Sequence, residues 1–306
     1  MNYSVVIPTY NASEFIFQTI DSVINQTEKD FEIVVVDDGS TDQTIDIIES
    51  FKNPKIKIHR LEHTGNIGRN LNLGIKNSKY DLICILGADD VWIKNKIEVQ
   101  SELLHEYNFI CTNGSIINGN NKIIRDRYVK DFETDRDISL CDLLENNYII
   151  ASSMIGQKKD FVKYGGFDEL DGTKAEDYIL WLKITEKEKI KFINRNLMQY
   201  RIHNKNLSFR NSESRISLLM KTYNIRNDYL KNSNSEEVKL SALSGIIPLL
   251  NELFGIYLRD KMLFKAKIIV KKRIELQKNK LSFDYIKWLL KLALVNYKYC
   301  IRRIHS

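Results

Sequence analysis

The stretch Cys84-Ile85-Leu86-Gly87-Ala88-Asp89-Asp90-Val91-Trp92 indicates the fold of this chain most clearly. The apolar run that begins at Leu82 predicts a buried strand, and two adjacent carboxylates follow where that strand ends. Carboxylates at the end of a buried strand are costly unless a cation lies beside them. A divalent metal that carries a nucleotide diphosphate meets this requirement, so the stretch predicts a ligand site at the end of a strand.

The residues before this stretch alternate short apolar strands with helical patterns, which is typical of a parallel α/β sheet. Ligands of such sheets bind outside the carboxyl ends of the strands. Polar groups follow three of the predicted strands, namely Pro8-Thr9-Tyr10-Asn11, Asp37-Asp38 and Asp89-Asp90. We therefore expect these groups to lie together at the carboxyl ends of the strands.

Two common nucleotide-binding patterns are absent after the first strand. The residues there do not match the GxGxxG of a dinucleotide-binding fold, and they are neither Gly-rich nor basic as in a sugar nucleotidyltransferase. The sequence instead offers acidic and aromatic groups. That choice suits a nucleoside that is recognised at its base edge and a diphosphate that is held through a metal.

The composition, with 306 residues of which 43% are hydrophobic and 28% charged, predicts a soluble globular protein. The N-terminus lacks a basic region followed by a long apolar core, so we expect no signal peptide. The four cysteines are scattered, without a CxxC pair. This pattern predicts reduced thiols in a cytoplasmic protein rather than disulfides or a zinc site.

The net charge of +6 is unevenly distributed, because residues 255–306 carry +11 and the rest of the chain carries −5. From Leu281 onward the pattern predicts an amphipathic helix with a wide apolar face and a polar stripe, formed by Asp284, Lys287, Lys291, Lys298 and Arg302. Two readings stay open: the helix packs on the rest of the protein, or it docks on an anionic membrane surface. No Arg-rich, aromatic-interleaved pattern occurs, so we expect no nucleic-acid partner.

Six motifs follow one another along the chain: Val5–Asn11 (VVIPTYN), Val34–Asp42 (VVVDDGSTD), Gly65–Asn70 (GNIGRN), Asp89-Asp90, Ala175–Asp177 (AED) and Tyr200–Ser208 (YRIHNKNLS). In this order the chain resembles an inverting, GT-A-fold glycosyltransferase of family 2. The resemblance covers roughly residues 1–210. It implies a Rossmann-like α/β domain over 1–210, with a mostly parallel central sheet and helices on both faces, followed by a basic helical region over 211–306. Residues 1–92 would form the nucleotide-binding half and residues 93–210 the acceptor-binding half.

The resemblance also implies roles for individual residues. Asp38 would accept a hydrogen bond from uracil, and Tyr10 would pack against the base. Asp89 would bind Mn²⁺ or Mg²⁺ with Asp90 beside it, and His203 would approach the metal. Further contacts to the nucleotide are expected from Pro8, Thr9, Asp37 and Arg69, and to its phosphates from Lys205 and Ser208.

The catalytic base implied by the resemblance is Asp177, with Glu176 orienting the acceptor or sharing its proton. One-step displacement inverts the anomeric centre, so an α-linked UDP-sugar would give a β-glycoside. The expected acceptor is a glycan, typically carried on a lipid pyrophosphate. The enzyme would then be cytoplasmic and peripheral on the inner face of the plasma membrane.

Two alternatives remain at this stage. Thymine presents the same base edge as uracil, so a dTDP-deoxysugar donor fits Asp38 equally well. Gly87 stands where relatives place the first Asp of Asp-x-Asp, which admits a non-catalytic nucleotide-binding relative. For an enzyme, Gly87 predicts a looser ribose contact and weaker metal dependence.

Overall fold

The computed structural model describes residues 2–170, 175–204, 206, 212–276, 288, 290, 291, 294 and 295. The chain divides into two compact units. The first comprises Met1–Leu143 and Asn147–Asn206, and the second comprises Leu144–Asn146 and Leu207–Ser306. The boundary lies at 206/207, whereas the sequence predicts it at 210/211.

The first unit is built on one mixed sheet, whose strands run in the order β3-β2-β1-β4-β9-β6-β10-β5, with β7 beside β6 and β8 beside β10. The β3-β2-β1-β4 half is parallel throughout, and β6 and β10 are also parallel. Their bounds are Tyr3–Thr9 (β1), Phe31–Asp37 (β2), Ile56–Arg60 (β3), Leu82–Ile85 (β4), Val91–Trp92 (β5), Phe109–Asn118 (β6), Ile123–Arg125 (β7), Arg136–Ile138 (β8), Ile155–Gln157 (β9) and Ile190–Ile202 (β10). The predicted α/β fold with a mostly parallel central sheet is confirmed.

Helices cover both faces of the parallel strands. Successive strand residues point to opposite faces, and Val5 and Ile7 of β1 join the core cluster that also contains Ile16 and Ile20. Val6, on the other face, lies against Gly74, where a Cβ would come within 2.3 Å of a Val6 methyl carbon. The helices of this unit are Ile16–Ile24 (α1), Thr44–Ser50 (α2), Ile67–Asn77 (α3), Lys96–Ser101 (α4), Leu140–Glu145 (α5, which crosses the unit boundary), Lys158–Lys163 (α6) and Glu176–Thr185 (α7).

The apolar runs between residues 93 and 210 predict two pairs of short strands, and each pair is one long strand in the structure. Phe109–Thr112 and Ser115–Ile117 form β6, because Asn113 is buried by hydrogen bonds to the Val129 carbonyl and the Asn194 side chain instead of forming a turn. Likewise, Lys191–Ile193 and Leu197–Ile202 form β10, whose register with β6 shifts between Ile193 and Met198.

Every regular element that the structure describes in the second unit is a helix, as the sequence predicts. Its long helices are Ser212–Asn232 (α8), Glu236–Arg259 (α9) and Leu263–Glu275 (α10). Pro248 lies inside α9 without dividing it. Among the described residues, α9 is the one helix long and apolar enough to span a membrane, and half of its apolar window is buried. Ile246, Leu250 and Leu253 of α9 form the core of this unit.

Candidate functional site

The polar groups predicted to lie together follow three neighbouring strands, since β2, β1 and β4 are adjacent in the sheet. Thr9 pairs with Asp37 at the ends of β1 and β2. The Asp38 backbone N–H donates to the Thr9 carbonyl at 2.8 Å, which joins the two strand ends. Pro8 and Thr9 are buried in this junction, and Tyr10 is 44% exposed beyond it.

Asp37 is used to build the turn after β2. One carboxylate oxygen accepts the Ser40 backbone N–H at 3.0 Å, and the other accepts the Ser40 hydroxyl at 2.5 Å. The Ser40 hydroxyl oxygen in turn accepts the Asn11 N–H at 2.9 Å. Asp37 therefore ties the loop after β1 to the loop after β2. Its predicted contact with the nucleotide stays a prediction, and the geometry assigns it a supporting role.

Asp38 faces the segment 63–65, of which the sequence motifs included only Gly65. Its Oδ1 accepts the Thr64 backbone N–H and hydroxyl, each at 3.1 Å, and its Oδ2 accepts the Gly65 N–H at 2.8 Å. His63 Nδ1 lies 3.0 Å from the same Oδ2. The His63 ring also stacks on Tyr10, with ring centroids 4.0 Å apart and an interplanar angle of 18°. The residues predicted to read and stack the base thus both contact His63.

Asp89 lies beyond β4 and faces the end of β10. Its Oδ2 is 2.9 Å from His203 Nε2 and accepts the Asn206 side-chain amide at 3.1 Å. The His203 ring packs on Phe15 at a centroid distance of 4.5 Å, which fixes its orientation. The predicted pair of Asp89 and His203 is therefore in direct contact, although 114 residues separate the two in sequence.

Asp90 points the other way, into the protein. Its Oδ1 accepts the Arg201 backbone N–H at 2.8 Å, and its Oδ2 accepts the Ser152 hydroxyl. Burial, together with the neighbouring Asp89 charge, raises the pKa of Asp90 well above its usual range. The Arg201 guanidinium Nε donates to the Asp89 carbonyl at 2.7 Å. Asp90 and Arg201 thus hold the turn that presents Asp89.

The Asp89 carboxylate and the His203 imidazole are spaced as two ligands of one divalent ion would be. An octahedral ion with bonds of about 2.1 Å places neighbouring ligand atoms about 3.0 Å apart, and Asp89 Oδ2 and His203 Nε2 are 2.9 Å apart. The described residues contain no cluster of three or more His, Cys, Asp or Glu side chains arranged for a metal. A Mn²⁺ or Mg²⁺ ion here would therefore take its remaining ligands from phosphate oxygens and water. Asp90 as a third ligand stays a prediction.

Gly87 lies against this carboxylate turn. A Cβ there would be 3.1 Å from Asp89 Oδ1, 3.2 Å from the Ser152 hydroxyl and 3.4 Å from Asp90 Oδ2. The Ser152 hydroxyl oxygen also accepts the Gly87 N–H at 2.9 Å. A side chain at this position would enter the space that Ser152 and Asp90 fill.

Glu176 and Asp177 form the first turn of α7. Asp177 Oδ1 accepts the Tyr178 N–H at 2.6 Å, and burial raises the pKa of Asp177 to about 6. A carboxylate with such a pKa suits a general base near neutral pH. A Cβ on Gly68 would lie 3.5 Å from the Glu176 Cβ, so the start of α3 packs against the start of α7. Arg69, the next residue of α3, is exposed.

Tyr200, near the end of β10, is influenced by both the base candidate and the metal candidate. Burial and the negative charges of Asp90, Asp89 and Asp177 raise the pKa of Tyr200. All three carboxylates thus lie within electrostatic range of one phenol, although they come from distant parts of the sequence.

Sequence reasoning assigned no role to His63, Ser152, Arg201 or Asn206. Arg201 and Asn206 lie inside the motif that contains His203. Their closeness to His203 in sequence was the one indication that they belong to the site. Ser152 and His63 lie in segments without a motif. Their contacts depend on how distant loops meet, so the sequence held no signal for them. Lys205 and Ser208 lie outside the described residues.

Comparisons with known proteins agree with this architecture. The model of the family described as Glycosyl transferase family 2 matches residues 4–165. WfgD of Escherichia coli, described as a UDP-Glc:alpha-D-GlcNAc-diphosphoundecaprenol beta-1,3-glucosyltransferase, is 28% identical over 233 residues, which is 75% of this chain and 87% of WfgD. WfaP of Escherichia coli, with the same description, is 31% identical over 204 residues, which is 65% of this chain and 77% of WfaP.

Other relatives are longer than this chain. An uncharacterized glycosyltransferase of Rickettsia bellii is 29% identical over 235 residues, which is 74% of this chain and 33% of that protein. This chain therefore spans about a third of that relative's length. The crystal structure of S. aureus TarS 1-349 in complex with UDP-GlcNAc shares the fold, with a TM-score of 0.67 at 18% identity over 90% of this chain and 81% of that one. Because the family model matches more than half of the chain, the protein belongs to glycosyl transferase family 2.

Proposed function

We propose that this protein is an inverting glycosyltransferase that moves a hexose or N-acetylhexosamine from a UDP-sugar to a hydroxyl of a lipid-linked glycan. One observation carries the proposal. Asp38 and Asp89 follow β2 and β4, which flank β1 in the sheet, and His203 at the end of β10 contacts Asp89. A base-reading carboxylate and a pair of donors for a divalent ion at such an edge suit the two ends of a nucleoside diphosphate.

The chain's own residues supply recognition and proton transfer. Asp38 accepts the N3–H of uracil, and Tyr10 stacks on the base. Asp89 and His203 would hold Mn²⁺ or Mg²⁺, and the bound ion would offset the negative charge of the departing diphosphate. Asp177 removes the proton of the acceptor hydroxyl, whose oxygen bonds to the anomeric carbon as the bond from that carbon to the UDP oxygen breaks. Attack opposite the leaving group inverts the anomeric centre.

The relatives support the acceptor class. The names of WfgD and WfaP specify a UDP-Glc donor, a GlcNAc-diphosphoundecaprenol acceptor and a β-1,3 product. A β product from such a donor agrees with inversion. We extend to this chain the lipid-diphosphate-linked acceptor and the β linkage, and leave the sugar and its position to the experiment.

The test measures UDP release with Mn²⁺, a synthetic GlcNAc-diphospholipid and a panel of UDP- and dTDP-sugars. We expect turnover with one UDP-sugar. Turnover confined to a dTDP-sugar would replace the donor assignment. Binding of UDP without turnover of any donor would favour the non-catalytic alternative.

The catalytic base has its own test. Asp177→Asn is expected to lower transfer by about a thousandfold, because a carboxamide takes up no proton, while UDP binding by calorimetry stays within about twofold. Equal losses of transfer and UDP binding would remove Asp177 as the base.

A lipid-linked acceptor requires the enzyme to work at a membrane surface, and we propose that α10 docks there. Its outward face carries Phe264 (62% exposed) and Ile268 (39% exposed), one turn apart. Lys265, Lys267 and Lys271 flank these two residues on the helix. Apolar groups between lysines suit the headgroup region of an anionic bilayer, where each lysine contributes about 1 kcal/mol.

Most of the polar stripe predicted from Leu281 onward lies outside the described residues, namely Asp284, Lys287, Lys298 and Arg302. Lys291 is described, and its ammonium lies 4.0 Å from the Trp288 ring centroid. The enzyme would thus be peripheral on the cytoplasmic face of the membrane.

Membrane docking is tested by flotation with vesicles that contain phosphatidylglycerol or only phosphatidylcholine. We expect binding to the anionic vesicles and its loss in Phe264→Ser/Ile268→Ser. Lys265→Glu should weaken binding, whereas Lys187→Glu, the same charge change at an exposed position of the first unit, should not. Equal binding of the two lysine variants would overturn the role of α10.

A further inference from the structure

The acceptor capacity of the Asp38 carboxylate is fully used in this structure. A carboxylate offers about four lone-pair sites. Four donors occupy them: the Thr64 N–H, the Thr64 hydroxyl, the Gly65 N–H and the His63 ring. Uracil therefore finds no open acceptor on Asp38 until one of these donors leaves.

The His63 ring is the donor that can leave. The Thr64 and Gly65 N–H groups belong to the backbone, and the Thr64 hydroxyl oxygen also accepts the Asn66 N–H at 3.3 Å. The His63 side chain is 47% exposed. Rotation about its Cα–Cβ bond takes the ring into solvent without moving the backbone.

His63 also resembles a nucleobase in what it contacts. Its planar ring stacks on Tyr10, and its Nδ1 lies 2.9 Å from the Asp38 carbonyl oxygen and 3.0 Å from Asp38 Oδ2. Both oxygens are acceptors only, so Nδ1 carries the proton and donates. A pyrimidine base offers the same two features, a flat face for Tyr10 and an N–H for Asp38.

We propose that the His63 imidazole occupies the base position in the nucleotide-free protein and that the uracil of the donor displaces it. This inference rests on the proposed function, because it takes Tyr10 and Asp38 as the base site. With centroids 4.0 Å apart, no base fits between the Tyr10 and His63 rings, so the ring must swing out before the base stacks on Tyr10.

Displacement makes His63 an internal competitor that sets nucleotide affinity. The measured affinity for a nucleotide equals the affinity of the open site multiplied by the fraction of protein whose site is open. One hydrogen bond to a carboxylate and one ring stack, opposed by the entropy cost of ordering the half-exposed His63 side chain, correspond to an affinity reduced by about tenfold or more. The same return of His63 to Asp38 favours release of the product UDP after each transfer.

Calorimetry with UDP tests the inference. We expect His63→Ala to bind UDP about tenfold more tightly than the natural protein, since the site is then always open. His105→Ala is the control, because His105 is 70% exposed and pairs with Glu106 away from this loop. The control should bind UDP as the natural protein does.

The sign of the change is decisive. If His63 contacts the bound base instead, His63→Ala weakens UDP binding, and unchanged or weaker binding overturns the inference. Failure of the natural protein to bind UDP at all would count against the proposed function itself, so the two failures are distinguishable.

A spectroscopic measurement keeps the inference testable if His63→Ala folds poorly. In protein labelled with ¹³C-histidine, the His63 ring signals should be displaced upfield by Tyr10 and should move downfield as UDP is added. The variant His63→Phe keeps the stack and loses the donor, so its UDP affinity should lie between those of the natural protein and His63→Ala. Ring signals that stay unchanged through the UDP titration would overturn the displacement.

Discussion

The ends of β2 and β4 each carry an Asp-Asp pair, and the two pairs are used in opposite order. After β2 the first carboxylate, Asp37, is held by Ser40, and the second, Asp38, faces the site. After β4 the second carboxylate, Asp90, is held by Ser152 and Arg201, and the first, Asp89, faces the site. In each pair one carboxylate supports the turn that presents the other.

The partners of the two outward carboxylates also differ. Asp38 is surrounded by N–H and O–H donors, which suits a carboxylate that accepts hydrogen bonds from a base. Asp89 lies against the His203 imidazole, which is itself a metal ligand when neutral. The same residue type after the two strands is thus surrounded differently: Asp38 by groups that suit a base, and Asp89 by a group that suits a metal.

The largest expected effect separates Asp89 from Asp90. Asp89→Asn should lower transfer by about a thousandfold by weakening charge stabilisation of the leaving diphosphate. Asp90→Asn should lower it by less than about tenfold, because the amide keeps the shape of the side chain and an oxygen that accepts the Arg201 N–H. Transfer assays and Mn²⁺ titrations measure both. A loss for Asp90→Asn as large as that for Asp89→Asn would make Asp90 a direct ligand.

The next effect separates Asp38 from Asp37. Asp38→Asn should weaken UDP binding by about 10- to 100-fold, the value of a hydrogen bond to a charged acceptor. Asp37→Asn should instead lower the free energy of unfolding by about 1–2 kcal/mol through the Ser40 turn, with UDP affinity nearly kept. Calorimetry and urea unfolding give the two quantities. A reversed pattern would exchange the roles assigned to the pair.

The pH dependence tests the third acidic pair, Glu176-Asp177. Since the pKa of Asp177 is raised to about 6 and the base must be unprotonated, activity should be level above pH 7 and fall about tenfold per pH unit well below 6. A raised pKa also means that the carboxyl favours folding when protonated, a contribution lost as the pH rises through about 6. Asp177→Asn should therefore unfold at no lower temperature than the natural protein at pH 8. A lower unfolding temperature would contradict the burial argument.

The smallest effect concerns Gly87. Gly87→Ala should lower the free energy of unfolding by about 1 kcal/mol, because the new Cβ crowds Ser152 and both carboxylates. Gly87→Asp adds a third negative charge and should cost more stability without tightening Mn²⁺ binding, measured by unfolding and metal titration. Tighter Mn²⁺ binding by Gly87→Asp would instead support the looser ribose contact and weaker metal dependence predicted from the sequence.

Much of this fold was predictable because its strands are buried on both faces. All seven residues of β1 and of β2 are buried, and such continuous apolar runs stand out in a sequence. The strands of the other half were predicted as fragments, since buried Asn113 and Asn194 resemble turn residues until their mutual hydrogen bond is known. The sequence correctly predicted that the second unit is helical. Which face of α10 is exposed is known only from the packing of the folded unit.

The sequence by itself determined the family, the fold class and the residue types available at the strand ends, because these depend on local patterns and on their order. The tertiary structure decided which carboxylate of each pair faces the site and which ring covers Tyr10. Those choices depend on donors from distant segments, such as Ser152 for Asp90 and the 63–65 loop for Asp38. A carboxylate's role follows from which donors reach it, and only the folded chain brings those donors to it.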